Sequence, residues 1–291
     1  MQLETSLIVP SVKLRYFAFN CLEIKLPDDK TLVIDPCLNK TGTFSCGYDV
    51  HDLEGCDYVL VNHSHGDHVD SLGEIYDAFH PLILAHAHTA QDLATFYDIP
   101  YIKMVPFTHG DEFLFDSFQV KVVRGRHNTT PAFLVRPSGR VDEIAEKVWD
   151  LHFDDPLEER LSNAGSMYNS NFLITLSNNV RIGFCAGNPG MTEPEDANLW
   201  RRLRPDIIFA QRAKWSEADY AEKMSNVLSV TGARIMVPIH IEDAYKGEYD
   251  PAKYVSDINK VCEEKGLLGR AMFLERAKWY QFTTGVSLLE K

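Results

Sequence analysis

The segment His63-Ser64-His65-Gly66-Asp67-His68 gathers three imidazoles and a carboxylate into one short stretch of a 291-residue chain. Imidazole nitrogens and carboxylate oxygens are the donors that hold first-row divalent cations, and here they follow an apolar run, Tyr58 to Val61, that reads as a buried strand. At that strand's end His63 and His65 can turn toward one ion. Gly66 lets the chain swing so that Asp67 and His68 address a neighbouring position. Imidazole suits zinc, iron, nickel and copper, and the carboxylate extends the range to manganese, so the residue types leave the metal unnamed. A divalent cation held there would lower the pKa of water toward neutrality and polarise a carbonyl or phosphoryl oxygen, which is hydrolytic chemistry.

The elements that must position this cluster read as strands and helices in alternation. A meander runs through Leu14 to Phe19, Cys21 to Leu26 and, past the turn Pro27-Asp28-Asp29-Lys30, Thr31 to Ile34, closing on Asp35-Pro36. After the cluster, Asp70 to Phe79 and Thr89 to Tyr97 read as helices around the strand Leu82 to Ala85, the βαβα rhythm of an α/β sandwich. Strands continue at Tyr101 to Pro106, Asp111 to Phe115 and Phe118 to Val123. His127 follows the last of them beyond Arg124 and Arg126, whose charges lower its proton affinity and suit it to a metal. Asn171 to Leu176, Val180 to Cys185 and Pro205 to Ala210 read as further strands, and Ser216 caps a helix from Glu217 to Leu228. Ala233 to Ile239 then leads to His240, Asp250-Pro251 opens a helix to Glu264 that stops at Gly266, and Ala271 to Leu274 with Trp279 to Phe282 read as a final strand pair.

The pattern His63-x-His65-x-Asp67-His68 resembles the signature of the metallo-β-lactamase superfamily, and the later elements fall in that family's order. They are a third histidine at a strand end (His127), a strand and glycine before a metal-bridging position (Asn188), and the closing strand Val237-Pro238-Ile239-His240. The resemblance implies an α/β protein, a four-layer αββα sandwich with a helical insertion, in one domain over residues 1–291. It assigns His63, His65 and His127 to one ion and Asp67, His68 and His240 to a second position, with Asn188 between them. One or two divalent ions follow, of zinc, manganese or iron. Asp67 is also the catalytic candidate, a carboxylate placed to orient water and carry a proton to the leaving group. The family has Asp where this chain has Asn188, and an amide oxygen is a neutral, weaker ligand. Either the second ion is held weakly or catalysis has been lost. Cys185 reads as buried core, and Asp35 as a structural group that orders the metal loops.

The function so implied is hydrolysis by a metal-bound hydroxide, by a lactonase or related ester or amide hydrolase acting on a small metabolite, phosphorylated or not. Within the superfamily the stretch from Ser216-Glu217-Ala218 to His240 resembles the branch that includes L-ascorbate-6-phosphate lactonase. The alternatives are a metal-dependent phosphodiesterase and a catalytically silent metal- or ligand-binding protein. Arg126, Tyr168, Arg212 and Lys214 are candidate substrate contacts, as are Phe44, Tyr48 and His51 in the loop 39–55. Residues 128–170 exceed what the fold needs, with helices expected at Arg140 to Leu151 and Asp155 to Leu161; they either cover the site, decorate the periphery or make a homo-oligomer contact. His86, His88 and His109 read as surface or structural residues.

A formal charge of −13 argues against a nucleic-acid partner, because backbone binding needs clustered Lys and Arg. Six cysteines without a C-x-x-C pair fit reduced thiols. Met1 to Ser6 lacks the basic-then-apolar pattern of a signal peptide, and no apolar run is long enough to span a bilayer. The expectation is a cytoplasmic protein with a small-molecule substrate and no membrane partner.

Overall fold

A computed structural model describes residues 10–38, 40–41, 44–127, 155–187, 190–242, 247 and 249–283, with the main chain alone at 40, 41, 44 and 45. The expected helix at Arg140 to Leu151, the residue Asn188 and the ring of Phe44 lie outside what is described.

Among the described residues sixteen strands follow in chain order. The first eight are β1 Ser11–Tyr16, β2 Leu22–Lys25, β3 Thr31–Ile34, β4 Lys40–Thr41, β5 Phe44–Ser45, β6 Tyr58–Leu60, β7 Leu82–His86 and β8 Met104–Phe107. They continue as β9 Glu112–Leu114, β10 Phe118–Arg124, β11 Ser170–Leu176, β12 Arg181–Cys185, β13 Ile207–Gln211, β14 Ile235–Ile239, β15 Arg270–Ala271 and β16 Tyr280–Thr283. One sheet has the order β16-β1-β2-β3-β6-β7-β8 and the other β15-β14-β13-β12-β11-β10-β9, while β4 and β5 form a separate hairpin. Each large sheet begins as an antiparallel meander and ends in parallel strands, β3 to β8 in the first and β12 to β15 in the second; helices join them except between β3 and β6, where the β4–β5 hairpin and a short 3-10 turn, Val50–Asp52, intervene. Parallel strands need such crossovers, and the helices they demand cover the outer faces.

The period of two decides which side chains enter which layer. Leu32, Ile34, Leu60 and Leu84 point inward against Ile182, Phe184, Phe209, Val237 and Ile239 of the opposite sheet, forming the central core. Their neighbours Val33, Val59, Val61, Ile83 and Ala85 face outward onto Leu72 and Ile75 of the helix Leu72–Phe79 and Leu93 of the helix Ala87–Phe96. On the second sheet Ile208, Ala210 and Met236 pack under Trp200, Met224, Leu228 and Ile258 of the helices Pro194–Leu203, Tyr220–Thr231 and Pro251–Glu264. Two helical layers therefore enclose two sheets, the αββα sandwich. Among the described residues no helix is long and apolar enough to cross a membrane.

Several local expectations change, and Tyr101–Lys103, read as the start of a strand, is a 3-10 turn that precedes β8. The helix placed at Glu217 under a Ser216 cap starts at Tyr220 with Asp219 at its N-cap, because successive turns come first: Glu217 N–H donates to Lys214 O and Tyr220 N–H to Glu217 O. The two closing strands do not pair with each other. β15 extends the second sheet beside β14, whereas β16 crosses to β1 in the first, and nothing in a strand's own residues names its distant partner. The helix Pro194–Leu203 was not expected, although Pro194 at its first turn followed by Glu195 and Asp196 is an N-terminal signal.

Phe209 is fully buried between the sheets, so Phe209→Ala should cost about 3–5 kcal/mol in denaturant unfolding. Ile102→Ala, at a side chain 87% exposed, should stay within about 0.5 kcal/mol. Equal effects would contradict this assignment of the core.

Candidate metal centre

The cluster hangs where β6 ends beside β3. Asp35, fully buried at the end of β3, accepts from Asn62 N–H at 2.6 Å and faces His68 Nδ1 at 2.7 Å. One carboxylate thus fixes both the start of the loop and its last imidazole, the ordering role expected of it. Gly66 to Val69 forms a single helical turn whose N-cap is His65, which swings Asp67 and His68 away from His63.

The structure brings His63, His65 and His127 together, with ligand atoms all within 4.8 Å of one another. It gathers Asp67, His68 and His240 in the same way. The two triads lie side by side, since the His63 and His68 rings are 3.7 Å apart between centroids. Hydrogen bonds select which nitrogen each ring can offer. His63 Nδ1 lies 2.5 Å from Asn62 Oδ1, which leaves Nε2 as the free nitrogen, and that atom is buried without a hydrogen-bond partner among the described residues. His65 Nε2 faces Ser162 O at 2.8 Å, leaving Nδ1. An orphaned buried nitrogen at the meeting point of three imidazoles is what a cation would satisfy, so the donor set fits a divalent metal.

Electrostatics separate the two positions. Burial lowers the proton affinity of His63, His65 and His127, the last to about 4, and the neighbouring histidines add to it. Lone pairs on this triad are therefore available at neutral pH. Burial would raise Asp67, yet His68, His240 and His65 outweigh it and hold the carboxyl well below its usual range. Burial would likewise lower His68, but Asp35 and Asp67 prevail and raise it.

His127 follows β10 through Gly125 and Arg126. Two glycines permit the close passage: a Cβ on Gly125 would meet Asn169 Oδ1 at 1.9 Å, and one on Gly187, where φ is +122°, would meet Arg126 O at 1.9 Å. His240 sits just past β14 in a left-handed conformation, φ 62°. Its N–H donates to Phe19 O at 2.7 Å and its carbonyl accepts from Arg212 Nε at 2.7 Å, while its Nε2 lies 3.1 Å from Asp67 Oδ2.

The expected substrate contacts are dispersed. Arg212 holds the His240 backbone. Arg126 pairs with Asp196 at 2.6 Å and Glu195 at 2.8 Å on the helix Pro194–Leu203. Lys214 is exposed. Tyr168 stacks on His86 and His88, and His86 also approaches His109, so these three histidines form a separate aromatic group. Tyr48 packs edge-on against Phe17, and His51 is exposed in a turn capped by Asp49. Sequence reasoning passed over Asn62, Glu242 and Gly165. An asparagine directly before His63 and a carboxylate two residues after His240 were the available signals, whereas Gly165 left none.

Residues 30–148 match the β-lactamase superfamily domain. A UPF0173 metal-dependent hydrolase of Bacillus cereus is 26% identical over 265 residues, covering 88% of this chain and 96% of its own. Another of that name from Staphylococcus saprophyticus is 28% identical over 125 residues; this alignment spans 40% of the present chain and about half, 52%, of the relative. Among solved structures, the metallo hydrolase Igni18 of Ignicoccus hospitalis superposes with a TM-score of 0.63 at 14% identity, covering 95% of this chain and 100% of that one. An isothiocyanate hydrolase from Delia radicum gut bacteria gives 0.60 at 16% identity, covering 93% and 99%. At such identities these two structures speak for the fold.

The helix Leu157–Met167 presses Gly165 onto His65, where a Cβ would meet the ring Cδ2 at 2.6 Å and the backbone N at 3.1 Å. Alanine in a helix is ordinarily stabilising by about 0.5–1 kcal/mol relative to glycine. Gly165→Ala should nevertheless lower zinc affinity in calorimetric titration by about tenfold, through displacement of His65. Unchanged affinity would show that the ring position is not set by this contact.

Proposed function

We propose, for a chain that carries a β-lactamase superfamily domain in the metallo-β-lactamase fold, that the protein is a metal-dependent hydrolase of small molecules. The observation that carries this reading is the convergence of residues 63–68, 127 and 240 into two adjacent triads around an orphaned nitrogen. His63, His65 and His127 would hold one cation, and Asp67, His68 and His240 a second, with Asn188 as the bridging candidate. A divalent ion there supplies Lewis acidity, acidifying water and polarising the scissile group.

The protein's own residues do the rest. Asp67 Oδ2 is engaged by His240 Nε2, while Oδ1 stands 3.9 Å from His68 Nε2 and is the freer oxygen. Because its neighbours keep Asp67 ionised, it serves as an anionic ligand and as the acceptor that orients an attacking water. A proton reaches Oδ1 only when charge develops on the reacting water, and from there it passes to the leaving group. Burial of His63 and His68 keeps bulk water from their ring nitrogens.

Within this class we favour a lactonase or related ester or amide hydrolase using zinc, manganese or iron, since Asn188 offers no carboxylate to offset two dications. The second reading, a phosphodiesterase, draws support from the completeness of the Asp67, His68 and His240 triad. Purified protein supplied in turn with zinc, manganese and ferrous iron should be assayed against lactones, aryl esters and phosphodiesters. Ester or lactone turnover with about one tight equivalent of metal is expected; phosphodiester turnover with two tight equivalents would transfer the assignment to the second reading, and no metal uptake would end both. Asp67→Asn should lower whichever turnover is found by about 10²-fold or more with the fold intact by circular dichroism. Asn188→Asp should tighten the second equivalent, and unchanged stoichiometry would refute the account of that position.

A further inference from the structure

Behind His240 lies a carboxylate that the chemistry above does not use. Glu242 is 5% exposed. Its Oε1 accepts from the Phe19 N–H and from the Tyr16 hydroxyl at 3.1 Å, so the side chain is locked in place. Its Oε2 faces His240 Nδ1 at 3.5 Å and is buried with no hydrogen-bond partner among the described residues. A carboxylate taken out of water with one oxygen unmatched is costly unless a nearby donor or cation answers it. A ring donor that faces it is His240 Nδ1.

We infer that Glu242 is a positioning residue: it fixes His240 with Nε2 turned toward Asp67 and thereby sets the cation affinity of the second position. This rests on the metal-dependent reading above. Two further observations support it. His240 is constrained at its backbone N–H by Phe19 and at its carbonyl by Arg212, so the torsions of its side chain are the freedom left to restrain. The second triad is also backed by carboxylates on both imidazoles, Asp35 behind His68 and Glu242 behind His240, whereas Asn62 and Ser162 behind the first triad are neutral. Carboxylate backing raises the basicity of a ligating imidazole and adds negative charge near the ion. Where a superfamily site would draw that charge from a bridging aspartate, this chain has Asn188, and Asp35 and Glu242 supply it from behind the ligands.

The test is a zinc titration of the metal-free full-length protein by chelator competition, resolving the first and second equivalents, on wild type, Glu242→Gln, Glu242→Asp and His240→Ala. Glu242→Gln should weaken the second equivalent by about 10- to 100-fold and leave the first unchanged, with Glu242→Asp falling between it and wild type. Nitrogen-15 correlation spectra of His240 in the zinc-loaded protein give a readout that a packing role would not move: the ring proton should sit on Nδ1, shifted downfield by Glu242 in wild type and moving upfield in Glu242→Gln. An equal loss at both equivalents, or an unaltered second equivalent with an unaltered Nδ1 proton, overturns the inference. Failure of the underlying reading looks different: wild type would then take up no zinc, or His240→Ala would bind as wild type does.

Discussion

A single buried carboxylate carries the geometry of this protein. Asp35 receives no solvent, yet it bonds the backbone of Asn62 and the ring of His68, one at each end of the ligand-bearing loop. Parallel pairing of β3 with β6 is what places it there, because the two strands end side by side. Without Asp35 the Asn62 N–H would lose its acceptor and His68 Nδ1 would keep only the longer contact to Asn20 Nδ2 at 3.3 Å. The strand pairing, the loop and the ligand set are one mechanical unit.

The second sheet closes the arrangement from the other side. β14 runs parallel to β13 and delivers His240, while β10 and β11, paired antiparallel, deliver His127 and the Asn169 that reaches Asn62. Helix Leu157–Met167 approaches from the segment expected to be an insertion. Its Ser162 carbonyl receives His65 Nε2, its Gly165 admits the His65 ring, and Leu161 joins the outer core of the first sheet. That part of the segment packs directly against the His65 ring.

The two candidate positions differ in character, and the difference follows from what stands behind each ligand. Neutral amide and carbonyl partners stand behind His63 and His65, and burial lowers the proton affinity of all three imidazoles of the first triad. Carboxylates surround the other triad and favour the protonated imidazole at His68. The second position is thus the more negatively charged of the two, with Asp35 and Glu242 standing behind two of its candidate ligands.

The sequence by itself determined the ligand types, their order along the chain and the layered fold, because each is written locally: imidazoles at strand ends, apolar residues at a period of two, helices between parallel strands. His63, His65, Asp67 and His68 were legible as ligand candidates on those grounds, and His127, His240 and the ordering role of Asp35 through the family resemblance. The tertiary structure alone decided that Glu242 stands behind His240, that Gly165 seats His65, that Arg212 holds a backbone carbonyl and Arg126 an acidic pair, and that β16 returns to the first sheet. These are meetings between residues far apart in the chain, 226 positions for Tyr16 and Glu242 and more where Ser11 pairs with Thr283. A contact of that range is fixed by how two sheets pack, and no periodicity or motif within either segment encodes it.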